Sequence, residues 1–218
     1  MHDIGLEFAG ATATWLELFA FACALAGVAL NALENRWGWP LSALASALYG
    51  WLFFEHRLYG DSALQLYFIA VSVWGWRLWQ DGYAESRRAQ GLQTTEAQGL
   101  QTTEAQGAPT LRIHRLGRPA LWRIALGLFA AWLVTGTLLS RWTDTDVPWW
   151  DAAPTVGSIV AQALVARKVL QAWHLWVIVN AMAMALFAYK SLWLTTLLYA
   201  LLLMMACGAL VRWRRLCS

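Results

Sequence analysis

Charged side chains are scarce in this 218-residue chain. Only 13% of the residues are charged, whereas 59% are hydrophobic. A water-soluble domain carries about 25% charged residues, so this chain has too little polar surface to cover itself in water. The composition excludes an ordinary soluble domain and predicts an all-α polytopic membrane protein. Alternating segments of about ten residues, which would indicate a transmembrane barrel, do not occur in the sequence.

Cysteine is also scarce, and known catalytic motifs are missing. The spacing of Cys23, Cys207 and Cys217 is neither paired nor typical of metal ligands. Only His174 lies deep in an apolar segment, so a metal or haem there would lack a second ligand. The chain has no G-x-S-x-G nucleophile elbow and no ATP-binding motif. We therefore expect no metal, no cofactor and no enzyme activity.

Seven apolar segments have roughly the length of membrane-spanning helices. Their predicted bounds are 13–33, 39–55, 62–80, 120–140, 151–167, 170–189 and 192–212. Pro40 and Pro154 fall in the predicted first turns of the second and fifth segments, where a missing N–H does no harm.

The predicted domains are arranged as three helices, one helix and three helices. Residues 1–82 form the first three-helix bundle and 83–118 a disordered cytoplasmic loop. Residues 119–148 form a linker helix, and 149–218 form the second three-helix bundle with a basic tail. The loop contains the tandem repeat "AQGLQTTEAQGLQTTEAQGA". Its polar composition cannot bury a core, so we expect it to be dispensable; the alternative is a partner-docking loop.

Basic residues are distributed unevenly between the predicted loops. If the N-terminus is outside, only Arg57, Arg141 and Lys190 of the 16 Lys and Arg residues lie on the outer side. The positive-inside rule therefore predicts an outer N-terminus and a cytoplasmic C-terminus. Because topology accounts for these charges, the lipid bilayer is the expected partner and nucleic acid is not.

The two helix triplets share a weak pattern. When Trp79 is aligned with Trp213, Gly75 aligns with Ala209 and Tyr59 with Trp193. If this pattern is a true repeat, both triplets start on the same side of the membrane. They are then parallel repeats, an arrangement in which a substrate site lies between the halves of a transporter.

Polar side chains inside apolar segments must face protein or a wet cavity, because lipid cannot hydrogen-bond to them. A carboxamide carries both donors and acceptors, so ligand contact is favoured for Gln65, Gln162 and Asn180. Small hydroxyl residues often only join helices, and this alternative is favoured for Ser42, Ser46, Thr155 and Ser158. Tyr49 and Tyr199 add phenols to the polar positions of the second and seventh segments. The candidate site residues of this kind are Gln65, Gln162, Asn180, Tyr49, Tyr199 and Ser46.

The sixth segment, "QAWHLWVIVNAMAMALFAY", combines indoles with a carboxamide. Trp173, Trp176 and Asn180 stand at i, i+3 and i+7, which places them within about 60° on one helix face. An indole wall beside an amide suits a flat aromatic guest, and a cationic ring would gain about 0.5–2 kcal/mol from the indole. The alternative for the tryptophans is an interfacial belt.

The pattern W-x-x-W-x-x-x-N at Trp173, Trp176 and Asn180 resembles the signature of the PnuC family of bacterial vitamin transporters. The stretches "NRWGWPLSALASALYGW" and "LYGDSALQLYFIAVSVWGWRLW" are also similar to the first half of that family. The resemblance covers roughly residues 20–82 and 150–213, and it leaves out the tandem repeat.

The resemblance implies a fold similar to the SWEET sugar transporters and a location in the bacterial inner membrane. It implies transport of nicotinamide riboside by facilitated diffusion and alternating access, followed by trapping through cytoplasmic phosphorylation. Relatives carry thiamine, riboflavin or deoxynucleosides, and trimers are common. It places Trp173, Trp176 and Asn180 at the substrate, with Gln65 and Gln162 as neighbours. Thiamine transport and a non-transporting membrane scaffold stay open as alternatives.

Overall fold

A computed structural model of the protein describes residues 7–8, 11–12, 15–55, 59–96, 113–142, 147–189 and 193–217. Within these ranges the chain forms seven helices and one short antiparallel hairpin. The hairpin pairs β1 (Glu7–Phe8) with β2 (Ala11–Thr12). The helices are α1 (Trp15–Ala32), α2 (Gly38–Glu55), α3 (Tyr59–Glu96), α4 (Arg118–Trp142), α5 (Pro148–Ala166), α6 (Gln171–Tyr189) and α7 (Trp193–Leu216).

The predicted all-α class with seven helices is confirmed, and two details of the prediction are corrected. The disordered loop was expected to start at residue 83, but α3 continues without interruption to Glu96, the last residue of the first repeat copy. Residues 97–112, which include the second copy, lie outside the described residues. Pro148 rather than Pro154 occupies the first turn of α5, and Pro154 lies inside that helix.

Four of the described helices are long and apolar enough to cross a membrane by length and composition alone. They are α1, α4, α6 and the stretch Thr196–Leu216 of α7. That α2, α3 and α5 also cross the membrane stays a prediction. The outer surface suits lipid, since α4 exposes large apolar side chains such as Trp122 (76% exposed) and Leu126 (70%).

Helix contacts follow the order of the chain, with two crossings between its first and last thirds. Helix α2 packs against α1 and α3, and α6 packs against α5 and α7. Helix α4 packs against α5. Contacts between the triplets run from α3 to α5 and from α1 to α7. These contacts suit the predicted arrangement of three, one and three helices, while the relation of the triplets as parallel repeats stays a prediction.

The largest buried side chains are tryptophans at one end of the helix bundle. Trp39 opens α2 and Trp173 opens α6, while Trp79 and Trp213 lie in the later parts of α3 and α7. All four are at most 2% exposed. This end also carries most of the basic residues, and we refer to it as the basic end.

Candidate substrate-binding site

The predicted binding face of α6 is turned into the protein. Trp173 is 2% exposed and Asn180 is 3% exposed, while Trp176 is half-buried against the core. Ile178, on the other side of α6, is 55% exposed. The indoles of an apolar helix surrounded by lipid could face outward at no cost. The burial of Trp173 and the partial burial of Trp176 therefore mean that this face of α6 packs inside the protein.

Asn180 lies at the middle of α6, about 13 Å along the helix axis from Gln171 at a rise of about 1.5 Å per residue. Its neighbour Val179 fits against Gly157 of α5, where an added Cβ would come within 2.4 Å of a Val179 methyl carbon. This close approach of α5 and α6 fixes the rotation of α6 and therefore the direction of the carboxamide.

Several buried polar atoms of the interior make no hydrogen bond within the described part of the chain. They are the side-chain oxygens of Asn31, Ser72 and Asn180 and the indole nitrogens of Trp39 and Trp173. Such atoms are uncommon in native proteins, because each costs about 1–3 kcal/mol when unsatisfied. Asn180 and Trp173 are two of the three signature residues, so this face holds one acceptor and one donor without a partner in the described part of the chain.

The beginning of α2 resembles that of α6 in geometry but not in chemistry. The Trp39 ring lies edge-on to Trp79 at 5.5 Å, and the Trp173 ring lies edge-on to Trp213 at 5.5 Å. After the tryptophan, however, α2 carries Ser42 where α6 carries Trp176. The Ser42 hydroxyl accepts a hydrogen bond of 3.5 Å from Nδ2 of Asn31.

Ser46 of α2 corresponds in position to Asn180 of α6 and is likewise buried, with 8% exposure. A single hydroxyl replaces the carboxamide there. The α2 face therefore presents small polar groups where α6 presents an indole and an amide.

Two tyrosines predicted for the site lie toward the opposite end of the helices. The Tyr49 phenol is near enough to Glu17 and Tyr199 to interact with both electrostatically. Its ring stacks on Phe53 at 5.9 Å, and the Tyr199 ring stacks on Phe187 at 5.2 Å. The structure thus brings Tyr49 and Tyr199 together, in an aromatic group that lies apart from the Trp173 end of α6.

The two predicted glutamines lie on α3 and α5, two helices through which the triplets contact each other. Gln65 of α3 packs its Cβ against Gly50 of α2, and Gln162 lies half-buried on α5. Between them, Tyr67 of α3 donates a 2.7 Å hydrogen bond to the Ile159 carbonyl of α5. Neither glutamine side chain forms a hydrogen bond within the described residues, and their contact with a substrate stays a prediction.

The hydroxyls of α5 are occupied by their own helix. Thr155 donates to the Asp151 carbonyl at 3.1 Å, and Ser158 donates to the carbonyl of Pro154. Hydrogen bonds of this kind satisfy a hydroxyl without a second helix. The donor of each hydroxyl is therefore used within α5, and a role in joining helices stays a prediction.

Sequence reasoning missed a polar contact between the triplets at the basic end. Nζ of Lys168 lies 3.0 Å from a Glu34 carboxylate oxygen, with side-chain exposures of 11% and 24%. The alignment of Trp79 with Trp213 also pairs Glu34 with Lys168, so that alignment held the only signal for this ion pair in the sequence.

The buried polar face, the lipid-compatible surface and the two linked triplets define a polytopic membrane protein of the transporter class. The sequence profile described as "Nicotinamide mononucleotide transporter" matches residues 14–215. The chain therefore belongs to the nicotinamide mononucleotide transporter family, which confirms the resemblance to PnuC proteins and the expectation of a transporter rather than an enzyme.

Comparisons with individual proteins support the same family. The chain is 24% identical over 204 residues to the nicotinamide riboside transporter PnuC of Escherichia coli K12, covering 92% of this chain and 85% of that protein. It is 26% identical over 199 residues to the riboflavin/roseoflavin transporter RibM of Streptomyces davaonensis, covering 91% and 82%. The crystal structure of the vitamin B3 transporter PnuC superposes with a TM-score of 0.67 at 19% identity, covering 93% and 81%. This last similarity shows the fold.

Proposed function

We propose that this protein carries nicotinamide riboside across the bacterial inner membrane. The observation that supports this most is the inward face of α6, where a buried indole and a buried amide oxygen lack partners in the described chain. The nicotinamide ring of this vitamin is flat and cationic and carries a carboxamide. An indole face attracts such a ring, and Asn180 can hydrogen-bond to its amide edge.

The proposed roles follow the helix. Trp176 stacks on the nicotinamide ring, and Asn180 hydrogen-bonds to the polar edge of that ring. Trp173 closes the binding site toward the basic end. Gln65, Gln162 and Ser46 contact the ribose or the amide from α3, α5 and α2. Tyr49 and Tyr199 line the approach from the opposite side.

The proposed transport cycle is facilitated diffusion by alternating access. The two triplets tilt about the site and open it to one side at a time. Phosphorylation of the vitamin in the cytoplasm then traps it. The distribution of basic residues supports an outer N-terminus and a cytoplasmic C-terminus, and a homotrimer is the proposed assembly.

Riboflavin is a second candidate, because the riboflavin/roseoflavin transporter RibM is 26% identical to this chain over 199 residues. Thiamine, which also carries a cationic aromatic ring, is a third. These vitamins differ in charge and size, so the indole and amide of α6 would not hold them equally.

Calorimetric titration of the purified protein with nicotinamide riboside, thiamine and riboflavin tests the proposal. We expect nicotinamide riboside to bind at least about tenfold more tightly than the others, a difference of about 1.4 kcal/mol. Tighter binding of riboflavin or thiamine would reassign the substrate. Binding of none of the three by folded protein would favour the membrane scaffold.

A further inference from the structure

At the basic end, two indole hydrogen bonds join the triplets reciprocally. The Trp79 indole of α3 donates to the Ala166 carbonyl at the end of α5, over 3.0 Å. The Trp213 indole of α7 donates to the Ala32 carbonyl at the end of α1, also over 3.0 Å. Each triplet thus donates one bond and accepts one.

The ion pair of Glu34 and Lys168 joins the triplets at the same place. The two residues are 134 positions apart, as are Trp79 and Trp213, and as are Ala32 and Ala166. Nζ of Lys168 also lies 4.7 Å from the centroid of the Trp79 ring. The ion pair therefore connects residues that occupy corresponding positions in the two triplets.

Both charged residues stand where the backbone favours glycine. Glu34 has φ 58° and Lys168 has φ 53°. Each follows the end of a helix: the Asn35 and Val169 amides donate to the Leu30 and Leu164 carbonyls, at 2.8 and 3.0 Å. A helix end of this kind usually has glycine at the left-handed position, and another residue costs free energy there. Fold stability alone does not account for a charged pair at these positions.

One of these residues, Trp213, also contacts the proposed binding face. The Trp213 and Trp173 rings form a T-shaped contact with their centroids 5.5 Å apart, while the Trp213 N–H is hydrogen-bonded to the other triplet. A movement of the triplets that breaks this bond would change the support of Trp173. Trp213 is therefore a positioning residue, since it acts on the site through Trp173.

The α5–α6 turn has an additional attachment. His114 pairs with Val169 as a parallel β-bridge, in which the His114 amide donates to the Lys168 carbonyl at 3.1 Å. Beside it, Leu116 and Gln171 exchange two hydrogen bonds of 3.1 and 3.3 Å. The segment before α4 is thus fixed to the turn that carries Lys168, so the linker helix follows the second triplet.

We infer that Glu34, Lys168, Trp79 and Trp213 form the gate that closes the basic end of the transport path, and that this gate opens when the Glu34–Lys168 pair and the two indole bonds break. The direction of release rests on the proposed function and topology. The opening of the basic end does not, and it is tested without any vitamin.

Spin labels at Leu33 and Arg118 report the opening. Both side chains are exposed, Leu33 next to Glu34 and Arg118 beside the segment fixed to the α5–α6 turn. The labels are attached to cysteines at these two positions in a protein whose Cys23, Cys207 and Cys217 are replaced by serine. Distances are measured by pulsed electron paramagnetic resonance in lipid nanodiscs.

Glu34→Gln removes the charge with little change in shape. We expect the ratio of long to short distances to rise by about tenfold, as for loss of about 1.4 kcal/mol. The charge-swapped variant Glu34→Lys with Lys168→Glu should restore the short distance. Glu55→Gln, the same change at an exposed carboxylate of α2, is the matched control and should have no effect. An unchanged distribution in Glu34→Gln would overturn the gate.

A second variant separates gating from folding. Glu34→Gly with Lys168→Gly removes both charges and also relieves the left-handed backbone. We expect this double variant to have a thermal midpoint at or above that of Glu34→Gln. We also expect it to show the long distance between the two spin labels. A lower midpoint with the short distance retained would make the pair purely structural.

Trp213→Phe keeps an aromatic ring against Trp173 but removes the N–H donor. We expect the long distance to increase here too, with the transport rate changing more than the vitamin affinity. Trp122→Phe, at an exposed tryptophan of α4, is the control. If distances open in Glu34→Gln but nicotinamide riboside does not bind, the proposed function fails while the gate stands.

Discussion

Helices α2 and α6 begin alike and then differ. Trp39 and Trp173 are both buried, and each forms an edge-to-face contact with a second tryptophan at 5.5 Å between ring centroids. Beyond this point α2 carries small hydroxyls where α6 carries Trp176 and Asn180. The shared start provides the contact between helices, and the residues that differ are the ones we propose to contact the substrate. In the proposed site, α6 supplies the aromatic and amide groups, and α2 supplies only small hydroxyls at the corresponding positions.

Replacing the amide of α6 should have the largest effect on binding. Asn180→Leu keeps the branched heavy-atom skeleton but removes both donor and acceptor. We expect nicotinamide riboside affinity to fall by about 2–3 kcal/mol, the cost of losing a buried hydrogen bond and stranding its partner. Ser46→Ala at the corresponding position of α2 should cost under about 1 kcal/mol. Equal losses by titration would contradict a dominant role for α6.

Giving α6 the residue of α2 tests the indole wall. Trp176→Ser matches Ser42 and should weaken binding by about 1–3 kcal/mol, the range found for loss of one base–aromatic stack. Trp176→Phe retains a ring and should recover most of the affinity. Calorimetry on both variants measures this, with the circular dichroism spectrum as the check on folding. Wild-type affinity in Trp176→Ser would remove the stacking role.

Adding a methyl group to α3 and removing one at the corresponding position of α7 should affect stability to different extents. An added Cβ at Gly75 would come within 2.7 Å of the buried Trp39 ring, whereas the corresponding residue in α7, Ala209, already carries one. We expect Gly75→Ala to lower the free energy of unfolding by about 1–3 kcal/mol through overpacking. Ala209→Gly should cost about 1 kcal/mol, the usual effect of glycine inside a helix. Thermal midpoints in one detergent compare them, and a harmless Gly75→Ala would contradict the tight Trp39 contact.

The smallest effect is expected at the tandem repeat, which has no counterpart between the helices of either triplet. Deleting residues 97–104 removes one copy of the eight-residue unit. We expect vitamin uptake per molecule of expressed protein to stay within about twofold of wild type, because a polar insertion contributes no core. Lost uptake at normal expression would show that the repeat has a function.

The sequence predicted the helices well because their signals are local. Long apolar runs predicted seven helices, and the spacing of Trp173, Trp176 and Asn180 predicted one inward face. The extension of α3 to Glu96 was missed, because the polar repeat contains glycine and threonine and has no apolar face to mark a helix. Pro154 was assigned to a first turn because the sequence does not show that Pro148 already starts the helix.

Contacts between distant residues could not be read from the sequence. Nothing local reveals that the Glu34 carboxylate meets Lys168 or that the Trp213 indole donates to the Ala32 carbonyl. The same holds for the meeting of Tyr49 with Tyr199. Each of these contacts depends on how whole helices cross, and helix crossing is decided by packing over many residues.

The most direct test is a structure of the protein with nicotinamide riboside bound. We expect the nicotinamide ring within about 6 Å of the Trp176 ring centroid, with the Asn180 amide about 3 Å from a polar atom of the vitamin. A vitamin bound elsewhere, with Trp176 and Asn180 packed only against protein, would contradict it.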